Sequence, residues 1–318
     1  MLAYHTGIPI LRTYWLLNCH QLLSSLFITI SNMSSNSIST VVRISEEVEI
    51  HLTRSIPVGV DLTEVPTLVF LHYWGGSAGT WASVIKGLSP YFPTVALSLR
   101  GWGASPGPAD SSAYGVSDFS ADVEAVIKEL GLSNVVLVGH SMGGKVAMAI
   151  AGRSLLPSGI IKALALIAPA PPTPFILPDP SMRDTQVHAF DNMTNARGVI
   201  QDVLTVKGNP ALTEDVIDAV AADMVRGNQF AKSSWPDYGA KEDIRELFAR
   251  ITVPVLVVVG EGDIIEPPEK MRTEIRDELN ARKNGQAKLI VVAGSGHLLP
   301  VEKPDDVASA VKTFVQDL

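Results

Sequence analysis

The chain carries the pattern Gly-x-Ser-x-Gly three times, at residues 75–79, 103–107 and 139–143. That spacing suits a serine nucleophile on a tight strand-to-helix turn, where small neighbours permit a strained backbone. A serine hydroxyl attacks a carbonyl carbon only with an adjacent base, and with N–H donors for the charge that develops on oxygen. With three copies present, the flanking residues must decide between them. Ser105 precedes Pro106, which has no N–H to give an oxyanion, and GPADSSAYG reads as loop. Ser77 follows two consecutive glycines, a loose turn, and suits the N-cap of the helix TWASVIKGL. Ser141 lies between the apolar run NVVLV and the helical MGGKVAMAI. There the strand runs straight into the turn, and Met142 offers its N–H at a helix start whose dipole favours negative charge. Gly143 and Gly144 allow that helix to pack closely. Ser141 is the expected nucleophile.

Seven histidines are available as its base. His5 and His20 lie in an irregular N-terminal stretch, His51 in an early strand and His72 at the end of TLVFLHYW. His140 is the variable residue of the elbow itself, and His188 lies in a helical region. His297 alone follows the last strand-like run, in the loop GSGHLLP. The acid that orients it should follow another strand end, and Asp263 after VPVLVVVG meets this, with Glu261 and Glu266 as alternatives. The order Ser141, Asp263, His297 is that of the nucleophile-elbow hydrolases. A second oxyanion donor is expected from the loop His72-Tyr73-Trp74-Gly75-Gly76, making the Trp74 and Met142 amides the pair.

Elements must bring these groups together. VVRI and EVEIHL alternate apolar with polar residues and predict a hairpin. TLVFLHYW, TVALSLR, NVVLVGHS, ALALIAPA, VPVLVVVG and KLIVVAGSG follow, the central ones continuous in Val, Leu and Ile, as for strands covered on both faces. Helical stretches alternate with them: TWASVIKGL, FSADVEAVIKELG, MGGKVAMAIAG, PEKMRTEIRDELNA and PDDVASAVKTFVQ. Phe119, Val123, Val126, Ile127 and Leu130 form one stripe of the second. The alternation predicts an α/β, doubly wound, mostly parallel sheet with its ligand site outside the carboxyl strand ends. The rhythm breaks once. Residues 170–250 begin inside the proline-rich PAPPTPFILPDP, whose first proline is Pro169, and continue as helical pieces such as LTEDVIDAVAADMV, predicting a helical cap inserted over those ends. The expected organisation is a core of residues 40–169 and 251–318, a cap of 170–250, and residues 1–39 as an extension outside the fold.

Composition narrows the function classes. The 318 residues are 46% hydrophobic and 18% charged, enough apolar material for a large core. A net charge of −8 without a basic cluster disfavours nucleic acid as a partner. The single cysteine, Cys19, excludes an internal disulfide and a cysteine-based zinc site. A cytoplasmic location fits it. The N-terminal region is serine- and threonine-rich with its first acid at Glu46, a weak hint of organelle targeting. Arg12, Asn18, His20 and Gln21 interrupt the apolar stretch between residues 8 and 30, so no membrane span is expected. The oligomeric state is not legible.

From about Glu46 to Leu318 the chain resembles the α/β-hydrolase superfamily, in particular its capped branch of esterases, lactonases, carbon–carbon hydrolases and cofactor-free perhydrolases. VFLHYWGGS, LRGWGASP, VLVGHSMGG, VVGEGDIIEP and GSGHLLPVEKP carry the resemblance. Two residues depart from it: Tyr73 stands where members commonly have glycine, and Ser98 where they often have aspartate. Related epoxide hydrolases and haloalkane dehalogenases use an aspartate nucleophile, and Ser141 argues against both. The resemblance implies a small-molecule ester or lactone substrate, an acyl-enzyme on Ser141, and no cofactor or metal. Perhydrolysis, carbon–carbon cleavage, a lyase reaction and slow-turnover ligand reception are the alternatives. Tyr73, His140, Phe175, Phe190 and Trp235 are expected to line the substrate pocket.

Overall fold

The computed structural model describes residues 35–175, 179, 182–282 and 286–318. Eight strands form one sheet: β1 (Ser35–Arg43), β2 (Glu49–Pro57), β3 (Thr67–Leu71), β4 (Thr94–Leu97), β5 (Val135–His140), β6 (Ile161–Ile167), β7 (Val255–Gly260) and β8 (Ala287–Val292). Their order across the sheet is β1-β2-β4-β3-β5-β6-β7-β8. Pairing is antiparallel from β1 to β2 and from β2 to β4, and parallel from β4 through β8.

The unbroken apolar runs follow from two covered faces. In β3, Val69 and Leu71 join one apolar cluster while Leu68 and Phe70 join the other. Val135 and Leu137 divide from Val136 and Val138 in the same way along β5, as the two-residue period of a strand requires. Helices α1 (Ala82–Leu88), α2 (Val116–Glu129) and α3 (Met142–Arg153) supply three of the covers. On α2 the expected stripe of Phe119, Val123, Val126 and Ile127 is buried, each such side chain contributing roughly 1.5–3 kcal/mol. Gly131, at φ +63°, takes the left-handed conformation that ends this helix.

Between β6 and β7 the described residues contain no strand. They form α4 (Met182–Val187), α5 (Met193–Val199), a π-helical turn (Ile200–Leu204), α6 (Glu214–Arg226), α7 (Gln229–Asp237) and shorter turns. This insertion docks on loops at the carboxyl ends of the strands. Asn228 donates its amide to Gly101 O (2.8 Å), Trp74 Nε1 donates to Lys232 O (3.0 Å), and Ser77 donates to Asp223. The last helix, α8 (Pro304–Gln316), seals the other face.

The fold begins earlier than the hydropathy pattern indicated. β1 starts at Ser35 and pairs there with Pro57, so five residues assigned to the extension belong to the sheet. The segment SNSIS lacks an apolar alternation because an edge strand need not bury a face, and Ile38 is 55% exposed. Residues 1–34, with Cys19, lie outside the described residues.

Candidate active site

β5 leads into Ser141, the candidate nucleophile, by a turn that leaves no space for a side chain at Gly139 or Gly143. A Cβ on Gly143 would fall 2.3 Å from Leu71 O, and one on Gly139 2.4 Å from Gly143 O. That proximity sets the start of α3 against the end of β3. Ser141 sits at the turn with φ 51° and ψ −115°, a left-handed strain that persists only when neighbours over-determine it. They do: its amide donates to Ile167 O (3.0 Å), and its carbonyl accepts from Gly144 (2.9 Å), Lys145 (3.2 Å) and Ala170 (3.0 Å).

Three chain-distant groups converge here. His297 Nε2 lies 2.9 Å from Ser141 Oγ, and His297 Nδ1 lies 2.8 Å from Asp263 Oδ2. The carboxylate holds the proton on Nδ1, leaving Nε2 to accept from the serine hydroxyl. Asp263 is locked from its other oxygen, which accepts the amides of Ile265 and Glu266 at 2.9 Å each. Burial alone would raise the Asp263 carboxyl, but the charge and hydrogen bond of His297 and the two amides hold it below its ordinary value. Burial would likewise lower His297, but the charge and hydrogen bond of Asp263, with Glu266 and Glu302 behind it, raise the imidazole above 6.5. Of the alternative acids, Glu261 accepts from the Gly294 amide (3.2 Å), and Glu266 pairs with Lys270 (2.9 Å). Neither faces the imidazole as Asp263 does.

The loop expected to supply an oxyanion donor is braced by His72. Leu99 N–H donates to His72 Nε2 (3.0 Å), so Nδ1 carries the proton and donates to Tyr73 O (2.7 Å). Gly76 N–H donates to the same carbonyl (3.0 Å). All described peptide bonds are trans, so the Trp74 N–H points opposite to that doubly held carbonyl. Burial keeps His72 neutral, lowered to about 4. Met142 is the first residue of α3, so its N–H has no partner within the helix.

The other two Gly-x-Ser-x-Gly serines are structural. Ser77 caps a 3-10 turn in a reciprocal pair with Thr80, and Ser105 Oγ donates to Ser98 O (2.6 Å) while accepting from His51 N–H (2.9 Å).

The pocket expectations need correction at two residues. His140 has no exposed surface; its ring packs against Tyr73, Trp81 and His297, and its Nε2 donates to the His297 carbonyl (2.7 Å). It lies behind the base and lines no space that water can enter. Phe190 is 1% exposed, wedged between Trp74 at 4.3 Å and Trp102 at 6.4 Å between ring centroids. Its bulk packs the insertion onto the loop that carries Trp74. Phe175 and Trp235 are half-buried, the former with the Lys270 ammonium 5.6 Å from its ring centre. Tyr73 borders a groove of about 810 Å³ with Ser77, Thr80, Asp223 and Val301, and no member of the Ser141 relay lines it.

Three further groups escaped the sequence reading. The His297 and Leu298 amides both donate to Leu204 O, at 2.8 and 3.0 Å. Glu302, 2% exposed, accepts from Val206 N–H and Gly296 N–H at 2.9 Å each. Lys145, without exposed surface, donates to Thr173 O (3.2 Å) and Ala240 O (3.1 Å), one at each root of the insertion. The adjacent motif GSGHLLPVEKP contained the only hint, an acid five residues after His297; a main-chain acceptor such as Leu204 has no sequence signature.

Residues 66–304 match the family model described as alpha/beta hydrolase fold. Mouse epoxide hydrolase 4 is 25% identical over 285 residues, covering 79% of this chain and 73% of that protein. The bifunctional esterase/perhydrolase of Acinetobacter calcoaceticus is 27% identical over 271 residues, covering 80% and 92%. Among solved structures, the bromoperoxidase of Bacillus anthracis superposes with a TM-score of 0.75 at 18% identity, covering 88% of this chain and 100% of that one. With more than half its length matched, the chain belongs to the alpha/beta hydrolase family.

Proposed function

We propose that the protein is a serine hydrolase that cleaves a small-molecule ester or lactone through an acyl-enzyme on Ser141. The observation that carries this reading is the relay of Ser141 Oγ, His297 Nε2 and Nδ1, and Asp263 Oδ2, at 2.9 and 2.8 Å. His297 accepts the hydroxyl proton as Ser141 Oγ bonds to the carbonyl carbon. The Met142 and Trp74 amides hold the oxyanion, each such donor being worth about 2.7–4 kcal/mol. The imidazolium then protonates the departing alkoxide as the tetrahedral carbon collapses to the acyl-enzyme. Water, deprotonated by the same imidazole, releases the acid. Asp263 keeps the ring in the required tautomer and stabilises its cation. Half-buried Trp74, Phe175 and Trp235 supply apolar surface for the substrate.

Mouse epoxide hydrolase 4 is a relative by sequence, but an epoxide substrate is disfavoured here because the elbow presents Ser141 and not a carboxylate. Perhydrolysis is the second reading, supported by the esterase/perhydrolase relative: peroxide in place of water would attack the same acyl-enzyme.

An active-site phosphonate should label the wild type but not Ser141→Ala. Labelling at Ser77 or Ser105, or equal labelling of Ser141→Ala, sinks the assignment. A chain-length series of p-nitrophenyl esters, with and without peroxide, separates the two readings.

A further inference from the structure

His140 occupies an unusual place for the variable residue of the elbow. It directly precedes Ser141 in the chain, yet its side chain reaches back to the main chain of His297 (2.7 Å). The His297 backbone is thus held from two sides, its amide by Leu204 and its carbonyl by His140. We propose that His140 is a positioning residue: as a neutral Nε2–H donor it holds the His297 main chain beside the elbow and so sets the distance from imidazole to hydroxyl. This rests on the hydrolase reading above.

The contact is built for one tautomer. A carbonyl faces Nε2, so the proton resides there, and Nδ1 is left with no partner among the described residues. Leaving a buried acceptor unpaired is unfavourable, which packing alone gives no reason to bear, since an apolar ring would fill the same space. The neighbours keep the ring neutral. Burial, reinforced by the adjacent His297 charge, lowers His140 to about 3, against the opposing pull of its bond to the His297 carbonyl and of Asp263. His72 pushes in the same downward direction as burial. When His297 takes the Ser141 proton, the ring next to it stays uncharged, so no like charge opposes the transfer. Tyr73 and Trp81, at 5.0 and 6.2 Å between ring centroids, leave the ring no room to turn away.

The test compares His140→Phe with His140→Gln. Phenylalanine keeps the ring and removes the donor; glutamine places an amide N–H near the position of Nε2. His140→Phe is expected to lower kcat for a p-nitrophenyl ester about 10- to 100-fold with KM within about twofold, because misplacing a reacting group by about 1 Å can cost 10²-fold. Its thermal midpoint should stay close to wild type, and His140→Gln should recover most of the lost kcat. Wild-type kcat in His140→Phe, or equal losses in both variants, overturns the proposal. Nitrogen-15 spectra of the wild-type imidazoles give a reading independent of any variant's folding. The expected His140 signal is an Nε2–H tautomer unchanged from pH 5 to 9; an Nδ1–H tautomer, or titration in that range, overturns it. Wild-type turnover that survives Ser141→Ala would instead sink the parent reading, so the two failures are distinguishable.

Discussion

The main-chain amide of His297 donates to the carbonyl of Leu204, 2.8 Å away. The loop that carries the imidazole is therefore tied to the helical insertion, and insertion and relay form one hydrogen-bonded unit. Glu302 completes it by joining Val206 on the insertion to Gly296 beside His297.

Glu302→Ala tests this coupling. The change strands the buried Gly296 N–H and the half-buried Val206 N–H, a buried one being worth roughly 1–3 kcal/mol. The expected outcome is a loss of about 2–4 kcal/mol in urea unfolding together with a fall in kcat. A variant with wild-type kcat would show that the His297 loop keeps its place without the insertion.

Asp263→Asn tests the electrostatics. The carboxylate raises the His297 pKa, and His297 must be neutral to act as base. Wild-type kcat/KM should therefore climb with pH through a midpoint above 6.5. The asparagine variant loses the negative charge that opposes burial, so its midpoint should move downward while kcat falls about 10⁴-fold. An unmoved midpoint in a pH–rate profile would contradict the pairing. The stabilities are linked oppositely. The His297 contribution is present below 6.5 and is lost as pH rises through the raised value; the Asp263 contribution is present above 3.8 and is lost as pH falls through the lowered one. The pair supports the fold most between those limits.

Gly143→Ala tests the elbow. Its Cβ would lie 2.3 Å from Leu71 O and 2.7 Å from His72 O, both rigid backbone. A loss of at least about 3 kcal/mol is expected, with loss of activity as the Met142 amide and the oxyanion loop are forced apart. Gly198→Ala is the control: nothing lies within 4 Å of its added methyl, and helical alanine should gain about 0.5–1 kcal/mol. Similar unfolding midpoints for the two variants would refute the close approach.

Lys145→Met tests the buried ammonium at the roots of the insertion. Burial depresses Lys145 from 10.5 to about 8. Between those values the unfolded chain binds the proton and the folded one does not, so wild-type stability should rise with pH there. Methionine does not titrate. The unfolding midpoint of the wild type relative to Lys145→Met should therefore increase from pH 8 toward pH 10, and a constant difference would show an ordinary lysine.

Much of this was legible along the chain because the governing physics is local. The run NVVLV joined to MGGKVAMAI predicted a strand turning directly into a helix at Ser141, and Pro106 removed a rival by the chemistry of a single residue. His297 and Asp263 were nominated through their places after strands, and they meet at 2.8 Å, since a parallel sheet gathers its strand ends at one edge. The edge strand β1 was read six residues short, from Val41 and not Ser35, because its serine-rich start carries no apolar alternation and Ile38 faces outward.

The amino-acid order alone determined the sheet and nominated three groups for the relay, for periodicity and strand ends are properties of neighbouring residues. Tertiary structure decided which side chains face the reaction and which stand behind it. His140 and Phe190 carry the residue types of a pocket, yet one holds the His297 carbonyl and the other fills the seam against Trp74. The Leu204 carbonyl and the buried Glu302 and Lys145 acquire their roles only where distant backbone amides and carbonyls converge, because a hydrogen bond depends on distance and direction, which no run of letters encodes.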